Sequence, residues 1–143
     1  QEGERLREDL LGKLDYMESL VDFIEERFPE VLVEYRAKLE DKVRELLENS
    51  LIDENRIAAE VTIYADKICV DEETVRLRSH IEATRKELNA GGSVGRKLDF
   101  IAQEMNREAN TILSKSGDLE ISDKAIDLKT EIEKVREQIQ NIE

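Results

Sequence analysis

The sequence predicts an all-α fold of about six helices and no sheet. Three observations carry that expectation. Apolar residues recur three and four positions apart along most of the chain, the period of a helix face and not of a strand. One Pro and six Gly interrupt 143 residues, so few positions force a break. There is no Trp, and charged residues are as frequent as hydrophobic ones, 40% against 39%, a balance that favours amphipathic helices.

Residues 2–28 place Leu10, Leu14, Met17, Val21, Ile24 and Phe28 on one seam. Pro29 lacks a backbone N–H, so a break is expected there, with Pro29 opening the next helix. That helix runs to about Asn49, with Val33, Tyr35, Leu39, Val43 and Leu46 facing inward. The pair makes a long antiparallel hairpin, packed on or projecting from a C-terminal helical bundle. The expected organisation is a scaffold or assembly hairpin over 1–50 and a helical domain over 51–143. "NSLIDEN", Asn49 to Asn55, is the boundary.

Asp53 can cap a third helix, "ENRIAAEVTIYADKIC", where Ile57, Val61, Tyr64, Ala65 and Ile68 align. Asp71 can cap a fourth, "EETVRLRSHIEATRKELNA", which Gly91-Gly92 ends. Ser93 can cap a fifth that closes near Ser116-Gly117. The sixth starts at about Leu119 and buries Ala125, Leu128, Ile132, Val135, Ile139 and Ile142.

No apolar run approaches the ~20 residues of a membrane span, and the start does not read as a signal peptide. Cys69 is the sole cysteine, so an internal disulfide is excluded and a reducing cytoplasm is the expected location. One Cys and one His are too few for a structural zinc site. The chain opens on Gln1, which suggests a piece of something longer. The net charge of −13 argues against a nucleic-acid surface spread over the whole molecule. The charge is uneven, however. Residues 1–60 carry a net −9, residues 61–143 a net −4, and residues 85–115 a net +2. Any anion site is expected in the second half.

Two polar faces stand out. On the fifth helix, Val94, Leu98, Ile101, Ala102, Met105, Ala109 and Ile112 fall on one buried stripe at about 100° per residue. Asp99, Gln103, Asn106, Arg107 and Asn110 form a second stripe, and Glu104, Glu108 and Thr111 a third. Asn is a poor helix-interior residue because its amide competes for backbone hydrogen bonds, so these amides suggest recognition. On spacing alone, an i,i+4 network stitching helices together explains them better. On the fourth helix, Glu73, Arg76, His80 and Thr84 share a face. Carboxylate, guanidinium and imidazole are the groups a phosphodiester reaction uses: the His transfers a proton and the Arg holds phosphate. A half-buried His with a Glu partner is the plainer account. Glu60 and Asp66 are further carboxylates that folding could bring in. Cys69 reads as a small buried residue.

"GRKLDFIAQEMNREANTILSKSGD", followed by "LKTEIEKVREQIQNIE", closely resembles the C-terminal half of the YicC/YloC family of bacterial endoribonucleases. "DEETVRLRSHI" resembles that family's E-E-x-x-R-L-x-S-H segment, and "RIAAEVTIYADK" its R-x-x-x-E-x-x-x-x-A-D-K segment. The resemblance is dense from Glu60 onward and weak before it. It implies a metal-dependent RNA hydrolase assembling as a ring-like homo-oligomer, with six subunits a candidate number. The family's N-terminal α/β half is absent from this chain. Thr84 stands where an aromatic is usual, and Cys69 where an acid is common.

The resemblance reverses the order of the two accounts above. The leading expectation becomes cleavage of single-stranded RNA. His80, Glu73, Arg76 and Arg107 are the catalytic candidates, and Gln103, Asn110, Arg96 and Lys97 the substrate-binding ones. Glu73, Asp99, Glu104 and Glu108 would bind Mn²⁺ or Mg²⁺, hard ions that take oxygen ligands, with Glu60 and Asp66 in reserve. The Glu73/His80 face is expected to meet the Asp99/Gln103/Arg107 face. The rival expectation is a non-catalytic oligomerisation module whose polar faces are subunit interfaces.

Overall fold

The computed structural model describes residues 2–47, 51–91 and 95–142. Among these residues the chain forms five helices and no strand. They are α1 (Glu2–Leu46), α2 (Glu54–Ile68), α3 (Asp71–Ala90), α4 (Gly95–Lys115) and α5 (Leu119–Ile142).

The all-α expectation holds, but the N-terminal hairpin does not exist. α1 is one helix of 45 residues with Pro29 inside it, about 68 Å long at 1.5 Å per residue. Pro29 is exposed, and it removes one hydrogen bond to the preceding turn at a cost of about 3 kcal/mol. Packing on both sides offsets that cost. Ile24 and Val31 are both buried, and each such side chain contributes about 1.5–3 kcal/mol. Arg27 adds a clamp: its guanidinium binds Asp118 at 3.0 Å, Glu34 at 2.6 Å and Glu120 at 2.9 Å. Beyond Pro29 the predicted inward face is only partly used. Val33 and Leu46 are exposed, while Tyr35 stacks on Tyr64 of α2 with ring centroids 3.9 Å apart.

The N-terminal part of α1 joins α3, α4 and α5 in a closed ring of four helices, each packed on two neighbours. Ion pairs give the directions. Arg78 reaches Glu25 and Arg85 reaches Glu18, so α3 runs antiparallel to α1. Arg76–Glu108 and Lys97–Glu87 set α4 antiparallel to α3. Arg27–Asp118, with the Lys124 ammonium over the Phe23 ring, sets α5 antiparallel to α1. One core results, containing Leu14, Met17 and Ile24 of α1 with Leu77 and Ile81 of α3, Met105 and Ile112 of α4, and Leu128 and Ile132 of α5. Ile68 and Val70, at the end of α2 and the start of α3, belong to the same cluster. α2 packs on α1, outside the ring.

The helix ends follow local chemistry with two surprises. Asp53 caps α2 as expected, accepting from the Asn55 and Arg56 amides. Gly91, at φ +75°, ends α3 in a conformation glycine adopts without strain. Asp71 does not cap α3: it is the first helical residue, and Val70 precedes it with no side-chain cap. Asp118, whose capping role went unread, accepts from the Ile121 amide at 3.1 Å and starts α5. Ser93, Gly92 and Val94 lie outside the described residues, as does the Ile142 side chain.

Candidate functional site

The side of α3 that meets α4 carries Glu73, Arg76, His80 and Glu87, spaced for one helix face. α4 answers with Lys115, Glu108, Glu104 and Lys97 in reverse order, as an antiparallel pair requires. Arg76 Nε donates to Glu108 Oε2 at 3.0 Å. Lys97 Nζ donates to Glu87 at 2.8 Å. The register between these two pairs brings the half-buried His80 level with Glu104. Lys115 Nζ donates to Glu73 Oε2 at 3.1 Å and to the Cys69 carbonyl at 3.3 Å.

Burial along this seam is graded. The Glu73 and Glu108 side chains are 4% and 7% exposed, whereas Arg76 is 49% exposed. The carboxylates sit inside and the guanidinium reaches outward over them. The hydrogen bond from Arg76 to Glu108 raises the arginine's pKa, so its charge is secure. Glu73 Oε1 is buried with no hydrogen-bond partner among the described residues. Thr84 is also buried, and its hydroxyl donates to the His80 carbonyl at 2.8 Å. That bond holds the turn carrying the imidazole.

The seam thus gathers Glu73, Arg76, His80, Glu104, Glu108 and Lys97 from the sequence candidates. It does not gather Asp99 or Gln103. Asp99 lies on the opposite flank of α4, accepting from Arg136 of α5 at 3.1 Å and from Gln103 at 2.9 Å. The expected meeting of the Glu73/His80 face with Asp99/Gln103/Arg107 is therefore corrected. α3 meets the Glu104/Glu108 strip, because that strip and the Asp99 stripe border the buried face of α4 on opposite sides. Arg107 is 74% exposed, with its Nε 3.6 Å from Glu104. Asn110 and Arg96 are exposed on α4. Glu60 and Asp66 remain on α2. Glu60 lies 3.8 Å from Arg56, and neither bonds a seam residue among those described. Lys115 was missed. Only the antiparallel register reveals that a last-turn lysine of α4 faces Glu73.

The four carboxylates assigned to a divalent ion do not form one donor set. Asp99 faces α5, while Glu73 and Glu108 already bind Lys115 and Arg76. Among the described residues no three His, Cys, Asp or Glu side chains converge as metal ligands would. The donors among the described residues therefore do not fit an Mg²⁺ or Mn²⁺ site by themselves.

Fold and seam define an antiparallel helical bundle whose α3–α4 edge sets paired Arg, Lys and Glu side chains beside an imidazole. Residues 24–143 match the family described as endoribonuclease YicC-like, C-terminal, and the chain belongs to that family. It is 48% identical over its whole length to a probable endoribonuclease YicC from Clostridioides difficile, covering 49% of that protein. It is 41% identical to a probable endoribonuclease YicC from Haemophilus influenzae, again covering 49%. The chain spans about half the length of these curated relatives.

Proposed function

We propose that this chain is the RNA-handling helical part of an endoribonuclease that cleaves single-stranded RNA. The observation that carries the reading is Arg76 held outward by the buried Glu108, with His80 one turn further along the same face. Arg76 and Lys115 offer donors to a phosphate and to the charge that develops on it. The His80 imidazole is the proton-transfer group of this reading. Glu108 orients Arg76, and Glu73 orients Lys115. The names of the two relatives support RNA as substrate. A divalent ion would need oxygen donors beyond those that the described residues bring together.

The test is cleavage of an end-labelled unpaired RNA by a full-length protein carrying this chain as its C-terminal part. His80→Ala should keep the fold and lose at least about 100-fold in rate, the usual contribution of proton transfer. A cyclic phosphate on the product places His80 beside an attacking 2′-hydroxyl. A 5′-phosphate with a 3′-hydroxyl points instead to activated water. Wild-type rates in both His80→Ala and Arg76→Ala would remove the seam from the reaction.

A second reading, an assembly module, is favoured by a different observation. Val33, Leu46, Leu47, Leu51 and Ile63, on and between α1 and α2, are all more than half exposed. Exposed apolar side chains of this kind suit subunit contact, and a homo-oligomer is part of the proposal. The α3–α4 seam does not serve that reading, since its charges are paired within the chain.

A further inference from the structure

The outward crest of α4 carries a residue that neither the core nor the seam uses. Phe100 is 60% exposed. At about 100° per residue it shares an arc of roughly 80° with Arg96, Gln103, Arg107, Asn110 and Ser114. From Arg96 to Ser114 the crest is about 27 Å long. Its C-terminal part, from Gln103 through Asn106 and Arg107 to Ser114, lines a shallow open recess with no carboxylate in its wall. That is unusual in a chain of net charge −13.

The hydrogen-bonding capacity of the crest is mostly unspent. Among the described residues the side chains of Asn106 and Asn110 bond nothing, and Arg96 makes no ion pair. Arg107 has one long contact, 3.6 Å to Glu104. A lone aromatic between two guanidinium groups and a row of amides is poor material for a hydrophobic protein interface, whose centre is contiguous apolar surface. It is the combination that unpaired nucleotides call for: a ring to stack a base, cations for the backbone, and amides for base edges.

We infer that the α4 crest is a track for single-stranded RNA, with Phe100 as its base-stacking platform. The inference rests on the RNA reading above and deepens it. Arg96 and Arg107 hold the phosphates on either side of the stacked base. Asn110 and Gln103 face base edges or ribose hydroxyls, and the strand leads toward the seam where Arg107 lies beside Glu104.

Fluorescence anisotropy of the 143-residue chain with a fluorescein-labelled twelve-nucleotide oligoadenylate tests it. Phe100→Ala should weaken binding about tenfold, the loss of one stacked base. Phe100→Leu should be as weak, since it keeps apolar bulk without a π face, and Phe100→Trp should bind at least as well as the unmutated chain. Arg107→Gln should lower the slope of log K against log salt by about 0.7. Phe100 is exposed, so circular dichroism should be unchanged in all of them. Four results would overturn the track: no binding by the unmutated chain, unmutated affinity in Phe100→Ala, retained affinity in Phe100→Leu, or a lowered solution mass of Phe100→Ala with RNA binding intact. The last would assign the crest to protein contact. Cleavage is scored separately. Lost binding in Phe100→Ala with normal cleavage in both His80→Ala and Arg76→Ala would sink the seam and leave the track, and the converse would do the opposite.

Discussion

Arg76 and Glu108 meet at 3.0 Å across α3 and α4 with unequal burial: the carboxylate side chain is 7% exposed and the guanidinium 49%. The pair is neither a surface bridge nor a fully buried one, and the inequality ranks its mutants. Arg76→Ala strands a buried carboxylate and should cost about 3 kcal/mol. Glu108→Gln removes the charge, and Arg76 can turn to water, so about 1 kcal/mol is expected. Urea denaturation gives both numbers. Equal losses would mean that Glu108 is not the buried partner.

The two flanks of α4 should separate in function. Asp99 and Arg136 are partly exposed, 28% and 26%, and their bridge should be worth under about 1 kcal/mol. Asp99→Ala should leave RNA cleavage near wild type, while His80→Ala abolishes it. A loss at Asp99 as large as that at His80 would move the chemistry off the α3–α4 seam.

Pro29 offers a direct check on the continuous first helix. At a hairpin corner, Pro29→Ala would cost stability. Inside a helix it restores a backbone donor, so stability should rise by up to about 3 kcal/mol. Thermal denaturation followed at 222 nm reads the sign.

Acid should act through three carboxylates. The Arg27 hydrogen bond holds the Asp118 pKa low, as it does that of Glu34, and the Arg78 hydrogen bond does the same for Glu25. Each folded pKa lies below its unfolded value of about 4. The stabilisation is therefore complete above about pH 4 and is lost as pH falls through the folded values. Between pH 7 and 5 these groups should change nothing. Asp118→Asn should lower the melting temperature at pH 7 and flatten its fall in acid.

Gly117 marks a close approach. A Cβ there would collide with the Tyr64 hydroxyl, whose ring is stacked on Tyr35. The tyrosine end can move, so Gly117→Ala should cost only about 1 kcal/mol. It should, however, disturb the tyrosine signal in near-UV dichroism. An unaltered spectrum would show that α2 does not rest on the α4–α5 turn.

The buried stripes of α4 and α5 were legible because amphipathic spacing registers burial directly. Leu98, Ile101, Ala102, Met105, Ala109 and Ile112 are all buried, as are Ala125, Leu128, Ile132, Val135 and Ile139. The three-way division of α4 was legible too, since it follows from the helical repeat. What faces each strip was not. Asp99 and Glu108 are both acids beside the buried face, and periodicity places them on different flanks without naming the neighbour. Pro29 misled for a related reason. Its local cost is real, but the competing gain from Ile24, Val31 and the Arg27 clamp lies on helices far away in sequence.

By itself, then, the sequence determined an all-α chain, the buried face of each C-terminal helix, and the motifs that place it in the YicC-like family. Local backbone preference and helical repeat suffice for these. Tertiary structure decided that α1 passes through Pro29 unbroken, that Glu108 and not Asp99 meets Arg76, and that Lys115 closes on Glu73. Those outcomes depend on antiparallel register and on which charges share a buried edge. Both are set only when the helices close around a common core.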